Sequence, residues 1–180
     1  MNTFANPLEY LFHDDLCHYL RSLGRIDDPF PEAPDIEARW LEVAKSYMPD
    51  GMREFADCPV VSFAWMMYVG MAIAKYWDTD WLLYGKVEDL YAYLRDQRDF
   101  DHMDDYICEQ VLLLSQADHD RLTKVVAECA ARTHTLLLHQ HLEPATRQAF
   151  DAYVAAIHQM YLMGMAMELK TLGYHMTKVG

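Results

Sequence analysis

The chain has 180 residues, a length that favours one domain with a single hydrophobic core. Its 28 Asp and Glu residues outnumber 15 Lys and Arg residues, and the formal net charge of -13 repels phosphate backbones and anionic lipid surfaces. Composition and charge therefore exclude nucleic acid as an expected partner, and they predict one domain over residues 1–180.

Helical signals follow one another along the chain. The predicted helices cover about residues 7–23, 35–47, 59–77, 79–97, 99–114, 117–141 and 144–172, with a further short turn near 52–56. No stretch alternates with period two, and Val, Ile and Thr are sparse beside Leu, Met and Ala. We therefore predict an all-α protein, a compact bundle of about seven mostly antiparallel helices.

Two of these segments are apolar enough to raise the question of a membrane. Residues 58–74 carry no formal charge, and residues 152–167 carry only the titratable His158. Both are at or below the short end of a membrane span, and Ala, Gly and Met outnumber Leu in them. We predict two long apolar helices at the centre of the bundle and no membrane association.

The same two segments echo each other weakly. Residues 67–75 read MYVGMAIAK and residues 160–170 read MYLMGMAMELK, so both contain a Gly-Met-Ala unit. Glycines at similar places allow two helices to pack closely, because a missing side chain lets the backbones approach. Either a duplication of one segment or the common composition of core helices explains this sequence similarity.

The four cysteines, Cys17, Cys58, Cys108 and Cys129, form no C-x-x-C pair that would indicate a zinc knuckle or a redox motif. We expect them to be small buried apolar residues without disulfides. The first residues contain no basic region followed by an apolar run, so we predict no secretory signal and a cytoplasmic protein.

Acidic and histidine clusters lack the spacing of metal ligands. The acids of DFDHMDD (99–105) lie opposite the apolar side of their helix, which favours a solvated face over a divalent-metal site. The histidines of HTLLLHQH (134–141) are not three or four residues apart, the spacings with which one helix binds zinc. No E-x-x-H motif indicates a di-iron bundle. We predict no metal and no cofactor.

Glu168 interrupts the apolar stripe of the last predicted helix. Winding that helix puts Tyr161 and Met165 on the same stripe, with His158 and His175 beside it. The carboxylate is therefore predicted to point into the core.

A buried carboxylate without a partner is costly, so we expect Glu168 to have one. Lys75 falls on the stripe of Tyr68 in the other apolar helix and could supply the opposite charge, and His158 and His175 are the other candidates. Two interpretations stay open. Glu168 forms a structural ion pair or reaches water at a helix end, or it is the polar group of a small-ligand pocket.

These residues define the predicted ligand site, which consists of Glu168, Tyr161, His158, Lys75, Tyr68 and Met165. The 12 Met, 12 Tyr and 4 Trp residues favour an adaptable apolar binding surface. We predict a soluble, non-enzymatic protein without catalytic residues that binds an apolar small ligand or a partner helix. Homodimerisation would hide excess apolar surface. The alternative is a metal-dependent hydrolase with His and Asp ligands from several helices, for which His102, the adjacent pair His119 and Asp120, and Asp151 are candidates.

Overall fold

The structure is a computed structural model and describes residues 4–174. Within that range the chain forms eight α-helices and a π-helical turn at Ile107–Val111, and no strand. The α-helices are α1 (Glu9–Ser22), α2 (Pro34–Glu37), α3 (Trp40–Asp57), α4 (Pro59–Tyr84), α5 (Leu90–Arg95), α6 (Met103–Tyr106), α7 (Gln116–Leu138) and α8 (Arg147–Thr171). The all-α prediction is confirmed.

Helix α3 is longer than predicted because tertiary packing outweighs two local helix breakers. The predicted helix 35–47 is divided between α2 (Pro34–Glu37) and the first part of α3 (Trp40–Asp57), and α3 continues through Pro49 and Gly51 to include the predicted turn near 52–56. Gly51 is buried where an added Cβ would lie 2.5 Å from the Tyr47 ring. Its lack of a side chain is therefore a packing requirement rather than a helix end.

The region after the first apolar helix also differs from the prediction. α4 continues past residue 77 to a non-helical residue, Asp80, whose side chain accepts the backbone N–H of Leu83 at 3.2 Å. Thr79 does not cap a helix, because its hydroxyl donates to the Lys75 carbonyl one turn earlier. Asp89 caps the short α5 instead, accepting from the backbone of Ala92.

The two apolar helices α4 and α8 form the centre of the molecule and run in the same direction. Near their first turns, Tyr153 of α8 donates its hydroxyl proton to Ser62 of α4, with 2.5 Å between the oxygens. Near their ends, the rings of Trp77 and Tyr174 lie 5.3 Å apart. The central pair is thus parallel, an exception to the mostly antiparallel order that we expect from the sequence.

Helices α3 and α7 run against this pair. The end of α7 lies beside the start of α4, where His134 and Phe63 have ring centroids 6.3 Å apart. The start of α3 lies beside the second half of α8, where Trp40 and Tyr161 are 5.2 Å apart. α5, α6 and α7 lie between α4 and α8 in the chain, and this long connection allows the central pair to be parallel.

Two glycines bring the backbones of α4 and α8 into contact. A Cβ added at Gly70 would lie 2.1 Å from the Tyr161 carbonyl oxygen, and one added at Gly164 would lie 2.1 Å from the Met67 carbonyl oxygen. Each glycine thus meets the residue three positions before the other glycine. The sequence echo of Gly-Met-Ala therefore marks a reciprocal contact in space.

Cys17, Cys108 and Cys129 are buried as expected, whereas Cys58 is only half-buried, and all four are free thiols. Burial raises the pKa of Cys17 to about 11 and those of Cys108 and Cys129 to about 12. Among residues 4–174, none of the helices combines the length and the apolar character that crossing a bilayer requires.

Candidate functional site

The six predicted ligand residues lie in several places and do not surround one pocket. Glu168 lines a cavity between α4, α7 and α8, His158 lines a groove beside α1, and Tyr68 lines a groove between α4 and α7. Tyr161 and Met165 are fully buried in the core. Lys75 is half-buried on α4. A common role for these six residues in ligand binding stays a prediction.

The cavity beside Glu168 is small and mostly apolar. Its volume is about 180 Å³, and Met71, Leu112, Leu114, Leu122 and Met167 supply the apolar part of its wall. Arg25, Asp118, Glu168 and Thr171 supply the polar part.

Glu168 is buried as predicted, with 7 % of its surface exposed. Its carboxyl group forms no hydrogen bond and no ion pair with any residue from 4 to 174. The pairing expected with Lys75 or His158 is therefore wrong within these residues, and His175 lies outside the described part of the chain. Its carboxyl oxygens are not among the fully enclosed polar atoms that lack a partner in the described residues, so they reach the surface of the cavity.

Burial determines the protonation of Glu168. Loss of hydration raises its pKa from 4.5 to about 7; the charge of Lys75 lowers the pKa, and that of Asp78 raises it by a smaller amount. Lys75 thus influences Glu168 through its field, without an ion pair. The core tolerates this carboxyl group because the raised pKa keeps it protonated, and therefore uncharged, below about pH 7.

The rest of the polar wall contains a cation. Arg25 follows α1, is half-buried, and its guanidinium forms no ion pair with the described residues. Asp118, also on the cavity wall, is exposed and bound by Arg121, which lowers the pKa of Asp118. The cavity wall therefore contains a buried acid, Glu168, which is protonated below about pH 7 and ionised above it, together with an arginine, Arg25.

A second polar centre, which the sequence analysis missed, joins α1 to α8. His158 Nδ1 donates a short hydrogen bond to Glu9, a carboxylate at the start of α1 that is 5 % exposed. Gln159 Nε2 donates to the same carboxylate oxygen at 3.1 Å. The predicted neighbour of His158 was Glu168, whereas its actual partner is Glu9.

A chain of hydrogen bonds extends this centre into the core. Gln159 is fully buried and its Oε1 accepts from His13 Nδ1 at 2.8 Å. Cys17 lies 3.5 Å from His13 Nε2 and donates to it, because its raised pKa keeps the thiol protonated. The Trp40 ring stacks on the His158 imidazole with 4.7 Å between centroids.

Glu9 and His158 lie on the wall of an open groove with a volume of about 660 Å³. Glu9 belongs to the stripe of Phe12 and Leu16, so the pattern that identified Glu168 could have identified it as well. Glu9 lies in the first turn of α1, where acidic residues are usually solvated, so its place on the apolar stripe did not lead us to predict its burial.

A third pocket, of about 460 Å³, lies at the end of the bundle where α3 and α7 end and α8 begins. Its wall is largely apolar and includes Met52, Leu138 and Phe150, which are also partly exposed to solvent. His134 and Tyr153 are among its few polar groups.

Metal ligands do not cluster in the described part of the chain. From residue 4 to residue 174, no group of three or more His, Cys, Asp and Glu side chains is arranged to hold a metal ion. The candidates for the alternative prediction have other partners: His102 pairs with Asp99, His119 lies 3.7 Å from Asp105, and Asp151 pairs with Arg147. The described residues therefore supply no set of metal ligands for the alternative prediction of a metal-dependent hydrolase.

No model of a known protein family, no curated protein and no solved structure matches this chain. Its function has to follow from the geometry of these sites.

Proposed function

We propose that this protein binds a small apolar ligand carrying one primary amine, with the amine at Glu168 and the apolar part in the adjoining cavity. One observation supports this proposal above all others: Glu168, which is 7 % exposed and has no partner among the described residues, lines a cavity whose wall is more apolar than polar. The carboxyl oxygens reach the cavity and have no partner among the described residues, which favours a ligand that supplies the missing hydrogen-bond donors.

The size of the cavity limits the ligand. An engineered cavity of about 150 Å³ binds benzene. The 180 Å³ beside Glu168 therefore suits one six-membered ring, or a branched chain of similar size, together with one polar group. The two methionines of the wall, Met71 and Met167, adapt readily to an irregular apolar shape.

Charge favours an amine over an acid. A ligand carboxylate placed at Glu168 would be repelled by the ionised Glu168 carboxylate, and the net charge of -13 over the whole chain adds to that repulsion. Arg25 on the cavity wall and Lys75 nearby carry the opposite charge, so the preference for an amine rests on its direct contact with Glu168. An ammonium group would pair with ionised Glu168 and supply the hydrogen-bond donors that this carboxyl group lacks.

The pocket at the end of the bundle is a second candidate for a ligand of a different kind. Its larger volume of 460 Å³ and its mainly apolar wall favour a neutral apolar molecule. A partner helix, a homodimer and a cytoplasmic location stay predictions.

Isothermal titration calorimetry at pH 8 with four ligands of matched size tests the proposal. The ligands are cyclohexylamine, cyclohexanol, methylcyclohexane and cyclohexanecarboxylate. We expect cyclohexylamine to bind most tightly, and Glu168→Gln to weaken its binding by at least about tenfold, since a charged hydrogen bond contributes about 1.5–3 kcal/mol. The control, Glu143→Gln, changes an exposed carboxylate and should leave the affinity unchanged.

Equal affinities for the amine and the alcohol, or no binding of either, would overturn the proposal. Ala149→Trp fills the pocket at the end of the bundle and identifies the site that is used. Loss of cyclohexylamine binding in this variant, with normal binding in Glu168→Gln, would contradict the assignment to Glu168.

A further inference from the structure

We infer that His158 and Glu9 form the acid–base centre of a separate hydrolytic site, in which His158 activates a water molecule against the carbonyl carbon of a small uncharged ester. This inference is independent of the ligand proposed for Glu168, because the two sites have no lining residue in common.

The hydrogen bonds define which nitrogen of His158 is available. Nδ1 donates to the Glu9 carboxylate, so the neutral imidazole carries its lone pair on Nε2. Nε2 has no hydrogen-bond partner among the described residues, and the side chain keeps 22 % of its surface exposed on the groove. A buried carboxylate on one nitrogen and an open lone pair on the other is the arrangement of a general base.

The neighbours of the pair hold this arrangement in place. Glu9 receives a second hydrogen bond from Gln159, whose amide orientation is in turn fixed by His13. The stacked ring of Trp40 limits rotation of the imidazole. The centre is therefore preorganised, which is what a catalytic base requires and a solvated surface histidine lacks.

The residues lining the groove indicate the nucleophile. The described residues on its wall include no Ser, Thr, Cys or Lys, so no hydroxyl, thiol or amine side chain is placed to form an acyl intermediate. Water in the groove is the remaining nucleophile that His158 could activate. The side-chain amides of Asn6 and Gln148 line the same groove and are the donors available to a carbonyl oxygen.

Charge indicates the class of substrate. Glu9 and Asp151 are the charged groups besides His158 on the described wall, and Asp151 is bound by Arg147. No arginine or lysine lines the groove there to neutralise a phosphate. An uncharged carboxylic ester fits this wall, with its apolar part against Phe4, Trp40 and Val154.

The proposed reaction balances without a cofactor. His158 Nε2 accepts a proton from water as the water oxygen bonds to the carbonyl carbon. The tetrahedral intermediate then breaks its bond to the alkoxide oxygen, which takes the proton from Nε2. The products are a carboxylic acid and an alcohol, and His158 returns to its neutral form.

Hydrolysis of p-nitrophenyl butyrate by the full chain tests this inference. We expect saturable hydrolysis, a decrease in kcat/KM of about 100-fold or more in His158→Gln, since general bases contribute that much, and a smaller decrease in Glu9→Gln. His139→Gln removes an exposed histidine at the end of α7 and should leave the rate unchanged. Equal rates in wild type and His158→Gln would overturn the inference.

A measurement on the unmodified protein covers the case in which His158→Gln fails to fold. Diethyl pyrocarbonate acylates unprotonated imidazole nitrogens, and mass spectrometry locates the modified residues. We expect His158 to be acylated faster than exposed His139, and p-nitrophenyl butyrate to slow the reaction at His158 alone. Slower acylation of His158 than of His139 would contradict an available, oriented base.

Discussion

Among single residues, Glu168 has the clearest expected effect on the pH dependence of stability. Its pKa is about 7 in the folded protein and 4.5 for a hydrated glutamate. Between these two pH values the folded state keeps the proton and the unfolded state has released it. Stability from this group is therefore fully present below pH 4.5 and is lost as pH rises through 7, by about 3 kcal/mol in all.

Glu168→Gln should remove this loss. We expect the variant to differ from the wild type by less than about 1 kcal/mol at pH 5 and to exceed its free energy of unfolding at pH 8 by up to about 3 kcal/mol, because glutamine has no proton to lose. Urea unfolding at pH 5, 6, 7 and 8 measures the difference. Glu143→Gln is the control and should follow the wild type, while parallel curves for Glu168→Gln and wild type would contradict the raised pKa.

Residue burial was easier to predict than residue pairing. The apolar stripe around Glu168 predicted its burial correctly because burial follows from the winding of one helix. The partners expected for Glu168 were wrong, and the pairing of His158 with Glu9 was missed, because these depend on how separate helices approach each other. His158 and Glu9 are 149 positions apart in the chain, so no local pattern connects them.

Among the elements, the contact between α4 and α8 makes the sharpest prediction. An alanine at Gly70 or Gly164 would place its Cβ 2.1 Å from a carbonyl oxygen of the other helix, and backbone cannot yield as a flexible side chain does. We expect each variant to lose about 3 kcal/mol or more of unfolding free energy in urea, as severe overpacking does.

Gly24→Ala is the control for this prediction. Gly24 has φ +70° and nothing within 4 Å of an added Cβ, so alanine there adds backbone strain of about 1–2 kcal/mol without a clash. If Gly70→Ala and Gly164→Ala were no more destabilising than Gly24→Ala, the close contact of the two helices would be wrong.

Element boundaries were predicted well where one local signal decides them. Pro59 begins α4, and Ser115 caps α7 through the backbone N–H of Asp118, both as the sequence indicates. The extension of α3 through Pro49 could not be predicted, since Gly51 packs against the Tyr47 ring of its own helix and against the Tyr153 hydroxyl of α8, and the second contact depends on the tertiary fold.

At the scale of the whole molecule, the prediction of one domain leads to a measurable expectation. A single core connects the long helices, and the four tryptophans lie on α3 and α4. We expect unfolding curves from far-ultraviolet circular dichroism and from tryptophan fluorescence to coincide in one transition. Two separate transitions would indicate two independently folding units and contradict the prediction.

The fold class followed from composition and periodicity, because a chain without alternating strands and with repeated helical stripes has few other ways to bury its apolar residues. The direction of the central pair did not follow from them. Short loops favour antiparallel neighbours, and that rule does not apply to α4 and α8, which are joined through three intervening helices.

The parallel pairing of α4 and α8 has a consequence for how the chain folds while it is being synthesised. Gly70 and Gly164 are 94 positions apart, so the central contact forms only after a large loop closes. During synthesis on the ribosome, α4 emerges long before α8 can cover it. Nascent chains that end before α8 should therefore expose the apolar surface of α4 and depend on chaperones to stay in solution.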